Sequence, residues 1–440
     1  SVIGVQGTSF AAPYVSGALA LVRAERGDLS PASVLDLLAS TAKDLGVPGR
    51  DREYGHGLVQ PRAMLVAAAG VAQPAPVVSE PVDGGGTAQP EPAPEPDADP
   101  APAVARVSGG DGTTEAVAQA VAVSRLAFPR NGARHAVLAR GDDFADALAG
   151  SALGMGAGPL LFAPREGPLP DATRTELARV LPDGAVVYLL GGEAALSAGL
   201  DDELAAVGLR PVRLAGASRE ETAAVVAREV VRRAGELGKP GAGRVLLATR
   251  GDWPDAVSGG GLAALLAAPV LLTAPDALHP ATARALEELT PGRVLVVGGT
   301  AAVSDAVAQE AGAAAGARVQ RLSGPARDAT AVAVAQEAHR LLGVRGQAPR
   351  YAVAVNLRRA DAFAHALSAS VLSGATGALL VPVERDAGTE LTQAARDWAR
   401  EALHDPATDV LLAGEADIVA DQVGEELGRL LAQARAARQA

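Results

Sequence analysis

Beyond residue 105 the chain alternates short, unbroken apolar runs with longer stretches in which apolar residues return every three or four positions. Val186-Val187-Tyr188-Leu189-Leu190 and Val294-Leu295-Val296-Val297 each end in twin glycines, and Val410-Leu411-Leu412-Ala413 ends in Gly414. Shorter runs precede them: Pro159-Leu160-Leu161-Phe162, Pro269-Val270-Leu271-Leu272 and Ala378-Leu379-Leu380-Val381. Runs of this length without polar alternation predict strands buried on both faces, the environment of a parallel sheet covered by helices. The stretches between them predict amphipathic helices, so each unit reads as a small α/β layer structure of about four strands.

The pattern recurs. Arg106-Val107-Ser108-Gly109 returns as Arg213-Leu214-Ala215-Gly216 and Arg321-Leu322-Ser323-Gly324, at steps of 107 and 108 residues. An acidic-aromatic segment follows each: Asp142-Asp143-Phe144-Ala145-Asp146-Ala147, Asp252-Trp253-Pro254-Asp255-Ala256, and Asp361-Ala362-Phe363-Ala364-His365-Ala366. A solenoid repeat is far shorter than this. The period predicts three whole, Rossmann-like domains in a pseudo-threefold arrangement.

Composition adds limits. Hydrophobic residues make up 48% and aromatics 2%, so the cores must be built from Ala, Val and Leu. Cysteine is absent and the six histidines are scattered, which excludes disulfides and Cys-based zinc sites. The run Leu262 to Ala274 is too short to span a membrane and contains Pro269. Net charge is −12. Half of it lies in residues 71–105, where Glu80, Asp83, Glu91, Glu95, Asp97 and Asp99 stand among prolines with no base. That stretch cannot bury a core and predicts a disordered, extended spacer. No basic stripe marks a nucleic-acid surface.

Before the spacer, Gly7-Thr8-Ser9-Phe10-Ala11-Ala12-Pro13 sets a serine between a glycine turn and an Ala-rich run. A serine there is an ordinary helix N-cap or a nucleophile whose oxyanion the helix N–H groups stabilise. The longer string through Tyr14-Val15-Ser16-Gly17, with Tyr54-Gly55-His56-Gly57-Leu58-Val59-Gln60-Pro61 downstream, resembles the nucleophile and closing segments of the subtilases, the subtilisin-like serine peptidases. The resemblance covers residues 1–70 and implies Ser9 as the catalytic nucleophile. Subtilases run Asp, His, Ser along the chain, so both partners are expected before Ser1. His56 stands in the wrong place in that order to serve as the base. The chain is therefore expected to be the C-terminal fragment of a longer secreted endopeptidase, inactive on peptide substrates by itself. Any calcium site belongs to the absent part of that domain, and no other cofactor is implied.

Residues 106 to about 435 resemble the type 2 cell-wall-binding repeat. The second repeat fits best, with Arg213, Gly216, Arg219, Thr222, Ala223, Asp255, Gly298, Gly299, Val303 and Ser304 in place. The first has Gly112 at the second Arg position, and the third has His365 for the Asp and only Gly414 of the glycine pair. The resemblance implies anchoring to an anionic cell-wall polymer at the cell surface. A guanidinium matches phosphate in bidentate fashion, which makes Arg106, Arg213, Arg219, Arg321 and Arg327 candidate polymer contacts. Equally, these arginines can form ion pairs at repeat interfaces. The Asp pairs suit helix N-termini, and the twin glycines a tight turn or an anion nest.

The combined reading is a partial subtilisin-like domain (1–70), a linker (71–105) and three α/β wall-binding repeats (106–211, 212–318, 319–440). The rival reading is a non-catalytic wall-binding protein with a degenerate peptidase remnant. A third, that the repeats are themselves enzymes, lacks a phosphate fingerprint and a polar constellation common to all three.

Overall fold

The computed structural model describes residues 102–108, 115–251, 253–357, 359, 362–384, 388–403 and 408–439. In the N-terminal region it describes residues 31–43 and 56–60 with single positions between 15 and 68. Ser9, Tyr54, Gly55 and the predicted spacer up to residue 101 lie outside the described residues. The chain divides into two compact units, Ser1–Pro94 and Glu95–Ala440.

In the first unit, helix α1 (Pro31–Thr41) presents Val34 and Leu37 to a small cluster with Ala18, Val22, Leu29, Met64 and Ala68. Lys43 and Leu58 pair as an antiparallel bridge. Arg26 Nη1 donates to Ala68 O (2.8 Å), tying the ends of this cluster together.

The second unit begins with β1 (Val104–Val107) and α2 (Glu115–Ala127). Then come β2 (His135–Arg140), α3 (Phe144–Gly154), β3 (Leu160–Ala163), α4 (Asp171–Val180), β4 (Val186–Leu190), α5 (Gly199–Ala206) and β5 (Arg210–Leu214). The pattern continues with α6 (Arg219–Glu236), β6 (Val245–Thr249), α7 (Trp253–Leu266), β7 (Val270–Thr273), α8 (Pro280–Leu289), β8 (Arg293–Val297), α9 (Asp305–Ala315) and β9 (Arg318–Leu322). It closes with α10 (Arg327–Val344), β10 (Tyr351–Asn356), α11 (Phe363–Thr376), β11 (Leu379–Glu384), β12 (Glu390–Leu391), α12 (Gln393–Ala402), β13 (Asp409–Ala413) and α13 (Asp421–Gln439).

Three sheets result, ordered β3-β2-β4-β5, β7-β6-β8-β9 and β1-β13-β10-β11-β12. All ladders are parallel except the short β11–β12 pair. The central strands are the apolar runs of the sequence, with β4, β6 and β8 buried along nearly their whole length. Each strand that opens a sequence repeat completes the sheet of the repeat before it. Thus Arg213 in β5 lies opposite Leu189 of β4, and Arg321 in β9 opposite Val296 of β8. The first such strand has no predecessor and pairs instead with the last sheet, Arg106 opposite Leu412. The three repeats therefore close head to tail into one ring.

The centre of that ring is made by α3, α7 and α11, which pack on one another. Their contact faces carry small residues because three helix backbones converge there. A Cβ on Gly260 of α7 would lie 3.4 Å from Ser151 Oγ of α3 and 3.5 Å from Ser370 Cβ of α11. At the next residue, a Cβ on Gly261 would lie 2.8 Å from Ser373 Oγ and 3.2 Å from Leu380. The buried hydroxyls of Ser151 and Ser370 donate to Leu148 O (2.7 Å) and Leu367 O (2.6 Å) of their own helices, so they add no unpaired donor. Three further helices straddle the seams. Helix α6 joins α3 to β7, α10 joins α7 to β11, and α2 joins α11 to β3.

Basic side chains cap the hub at its far end, as the helix dipole favours. Lys239 Nζ donates to Met155 O (2.5 Å), and buried His135 donates through Nε2 to Leu153 O (2.7 Å). His135 Nδ1 accepts from Arg233 (3.1 Å), which fixes the neutral tautomer. Burial, then the Arg233 charge, lowers its pKa from 6.5 to about 4.

Two outcomes test this architecture. Gly261→Val is expected to lower the unfolding free energy in urea by about 1–3 kcal/mol through overpacking. Gly192→Ala, where the added Cβ meets nothing within 4 Å, should leave it unchanged. Because the folded protein binds the His135 proton less readily than the unfolded chain, this residue's contribution is complete above pH 6.5. It is lost as pH falls from 6.5 to about 4, by about 3 kcal/mol. The difference between wild type and His135→Gln in unfolding titrations over that range should follow this loss.

Candidate functional site

In open parallel sheets ligands bind beyond the C-terminal strand ends, where successive connections leave to opposite sides. In the second sheet that point lies between β6 and β8. There β8 ends in Gly298, at φ 108°, and the chain turns sharply. Only glycine suits this position. A Cβ on it would lie 2.9 Å from both Ala302 Cβ and Asp255 Oδ2. Gly191 repeats the geometry in the first sheet against Asp146, and Gly414 in the third against His365. The three amides donate to Leu214 O (2.9 Å), Leu322 O (3.0 Å) and Val107 O (3.1 Å). These glycines therefore serve the turn, with the first N–H of each already committed to the neighbouring strand.

Three of the five candidate arginines hold this turn from the adjoining strand. Arg213 donates to Gly191 O (3.3 Å), Leu196 O (2.7 Å) and Ser197 O (3.2 Å) and pairs with Asp201. Arg321 donates to Gly298 O (2.9 Å) and pairs with Asp305 at 2.9 Å. Arg106 donates to Gly414 O (2.6 Å) and pairs with Asp421 at 2.5 Å. Each side chain is largely buried, and each ties the edge strand to the loop and helix that follow the turn.

The motif's other half shapes the opposite wall. Gly216 N donates to Thr222 Oγ1 (3.1 Å), and Gly324 N to Thr330 Oγ1 (3.2 Å). A Cβ on Gly216 would lie 2.4 Å from Glu221, and one on Gly324 2.3 Å from Ala329, so the loop can approach the helix only through glycine. This close turn sets Arg219 and Arg327 at the first positions of α6 and α10, facing the crevices.

The second crevice is a cleft of about 520 Å³, with Thr249, Asp255, Gly299, Ala301, Arg327 and Thr330 on its walls. The first is spanned by Arg219, which pairs with Asp143 at 2.8 Å and lies 5.8 Å over the Phe144 ring. Asp143 also caps α3, accepting from Ala145 N (3.2 Å). Below it, burial and then the Asp143 charge raise the Asp146 carboxyl above its ordinary pKa. Arg140 at the end of β2 grips Asp142 through two bonds of 2.8 and 2.9 Å, and this holds the Asp142 carboxyl low.

The third crevice departs from both. His365 occupies the Asp position, is buried, and bonds through Nδ1–H to Gln119 Oε1 of α2. Gln119 had not been singled out, although it is a polar residue where the companion helices carry Val226 and Val334. Asp252, Asp361 and residues 109–114 lie outside the described residues, as does Ser9. His56 is exposed in a turn. Among the described residues no group of three or more His, Asp or Glu side chains could hold a metal ion, and no helix is long and apolar enough to cross a membrane.

The fold defines a module of three α/β repeats. Residues 106–201, 213–308 and 321–424 match the model of the cell wall binding domain 2 (CWB2) family, so the chain belongs to that family. Residues 1–57 match the subtilase family model. Mycosin-1 of Mycolicibacterium smegmatis is 41% identical over 63 residues, 14% of this chain and 14% of that protein. Serotype-specific antigen 1 of Mannheimia haemolytica is 43% identical over 54 residues, 12% of this chain and 6% of that protein. The chain thus spans a small part of these relatives. Cwp8 from Clostridium difficile superposes with a TM-score of 0.62 at 23% identity, covering 75% of this chain and 52% of its own. Cwp6 from the same organism gives 0.63 at 18% identity, covering 76% and 48%. These two likenesses are of fold.

The arginines are expected to separate by stability. Arg213→Leu should cost about 2–3 kcal/mol in urea unfolding, because it strips three carbonyls and a carboxylate of their donor. Arg219→Leu, half exposed and in a surface pair, should cost less than about 1 kcal/mol.

Proposed function

We propose that the second unit anchors the protein to an anionic polymer of the cell wall, and that the first unit is the closing part of a surface-displayed serine endopeptidase. What carries the wall-binding reading is the pair of arginines, Arg219 and Arg327, set by glycine-dependent turns at strand-end crevices of repeats that belong to a cell wall binding family. In this reading Arg106, Arg213 and Arg321 act indirectly, by fixing the backbone of the crevices. Arg219 and Arg327 meet the polymer's anionic groups, while Asp255 and Thr330 accept from and donate to its hydroxyls.

The overall charge of −12 makes long-range attraction to a polyanion unfavourable, so binding must come from local contacts. Ser9 is assigned the nucleophile's role in the peptidase, a role that requires the Asp and His of the triad. Secretion and wall location follow from the same reading.

The protein should sediment with purified, protein-free Gram-positive cell walls at low salt and be released as salt rises from about 50 to about 500 mM. Retention unaffected by salt, or by chemical removal of the anionic polymer, would exclude this mode of binding. For the peptidase, a fluorophosphonate probe should label Ser9 of a protein that includes the preceding Asp and His segments. Absence of label there would favour a peptidase remnant without activity.

A further inference from the structure

We propose that the third repeat has given up its crevice to close the ring, so that the wall polymer is held by the first two repeats alone. The inference rests on the wall-binding reading above and concerns how many of the three crevices take part. The three sites share a backbone plan but differ in what fills them.

In the second repeat, Ala301 and Ala302 follow the turn and leave the mouth of the cleft open. The corresponding residues of the third repeat are Asp417 and Ile418, and both are engaged from across the mouth. Arg359 Nη1 donates to Asp417 O (3.0 Å) and pairs with its carboxylate at 2.8 Å. Asn356 Nδ2 donates to Ile418 O (2.9 Å) from the end of β10. The segment before β12 also presses in. Gly388 O accepts from Ala420 N (3.0 Å), and a Cβ on Gly388 would lie 1.9 Å from Ile418 O.

The floor of the crevice is filled as well. His365 and Gln119 are both buried, and Gln119 Nε2 donates to His365 O (2.8 Å) and Ser368 Oγ (3.1 Å). These bonds join α2 to α11 at the seam where the opening strand, β1, is held to β13 by pairing alone. At the first two seams the opening strand is continuous with the chain of the sheet it completes, β4 leading to β5 and β8 to β9, and the seam helix carries apolar Val226 or Val334 at this position. A buried amide matched to a buried imidazole favours this pairing over docking α2 on a helix that offers no such partner. The residues that would read a ligand in repeat three are thus employed in joining the chain's ends.

By contrast, the pair that spans the first crevice is a surface one. Arg219 and Asp143 keep 47% and 27% of their side-chain exposure. Such a pair contributes little to folding, and an incoming anion can compete for its arginine.

The test uses the full chain and purified, protein-free Gram-positive cell walls. Arg219→Glu and Arg327→Glu should each weaken half-saturation by roughly a hundredfold, the avidity lost when one of two linked sites fails. The double variant should not sediment. Arg359→Ala combined with Asp417→Ala should bind as the wild type does, within about twofold, with circular dichroism and elution volume confirming that it is folded. Weaker binding by that folded variant would show a third working site and overturn the proposal, as would retention of the double Glu variant. Failure of the wild-type protein to sediment at all would instead remove the wall-binding reading itself.

Discussion

The close approach of three helices at the centre of the second unit sets the terms for everything around it. Helices α3, α7 and α11 meet through glycine, alanine and serine, and a Cβ at Gly261 would lie within 2.8 Å of Ser373 Oγ. In water such contact is stabilised by dispersion between closely packed backbones and by the apolar surface it removes. Trp253 and Phe363 open two of the three helices, with ring centroids 6.1 Å apart, while Tyr188 and Phe162 are buried in the first sheet. With the hub fixed, each sheet can face outward and each seam helix can reach two neighbours at once.

The arginine-glycine motif has a corresponding logic. Its arginine serves the turn of the preceding sheet, its glycine permits the loop to lie against the next helix, and its threonine locks that loop. One short string thereby couples a strand end in one repeat to a helix start in the next. A crevice assembled in this way depends on two repeats together.

Much of this was legible in the sequence, and what was not has identifiable causes. The apolar runs marked their strands because burial on both faces leaves no polar alternation. Asp143 marked a helix start through its capping chemistry. The phase of the repeat was not legible. A pattern that recurs every 107 or 108 residues can be divided at any point, and only the pairing of Val104–Val107 with β13 reveals that the opening strand belongs to the preceding sheet. Nor could spacing decide the role of Arg106, Arg213 and Arg321, because an arginine near an acid in sequence can still point to solvent. Their partners emerge only once the turn carries Gly191, Gly298 and Gly414 under them. Gln119 gave a usable signal, a polar side chain in an otherwise apolar column, but its meaning required the partner 246 residues away.

The pairing of first strand with last sheet also orders events in time. Arg106 meets Gly414 across 308 residues of chain, so β1 has nothing to pair with until the third repeat has been made. At ordinary rates of synthesis that interval is about 15–60 s. The first two sheets have their own strands at hand and can form as they emerge. Closure is then a single late, long-range step whose loop entropy is met only at the end. A chain that stops short of β13 leaves β1 without its ladder, which makes completion of the last repeat a condition for seating the strand that opens the first.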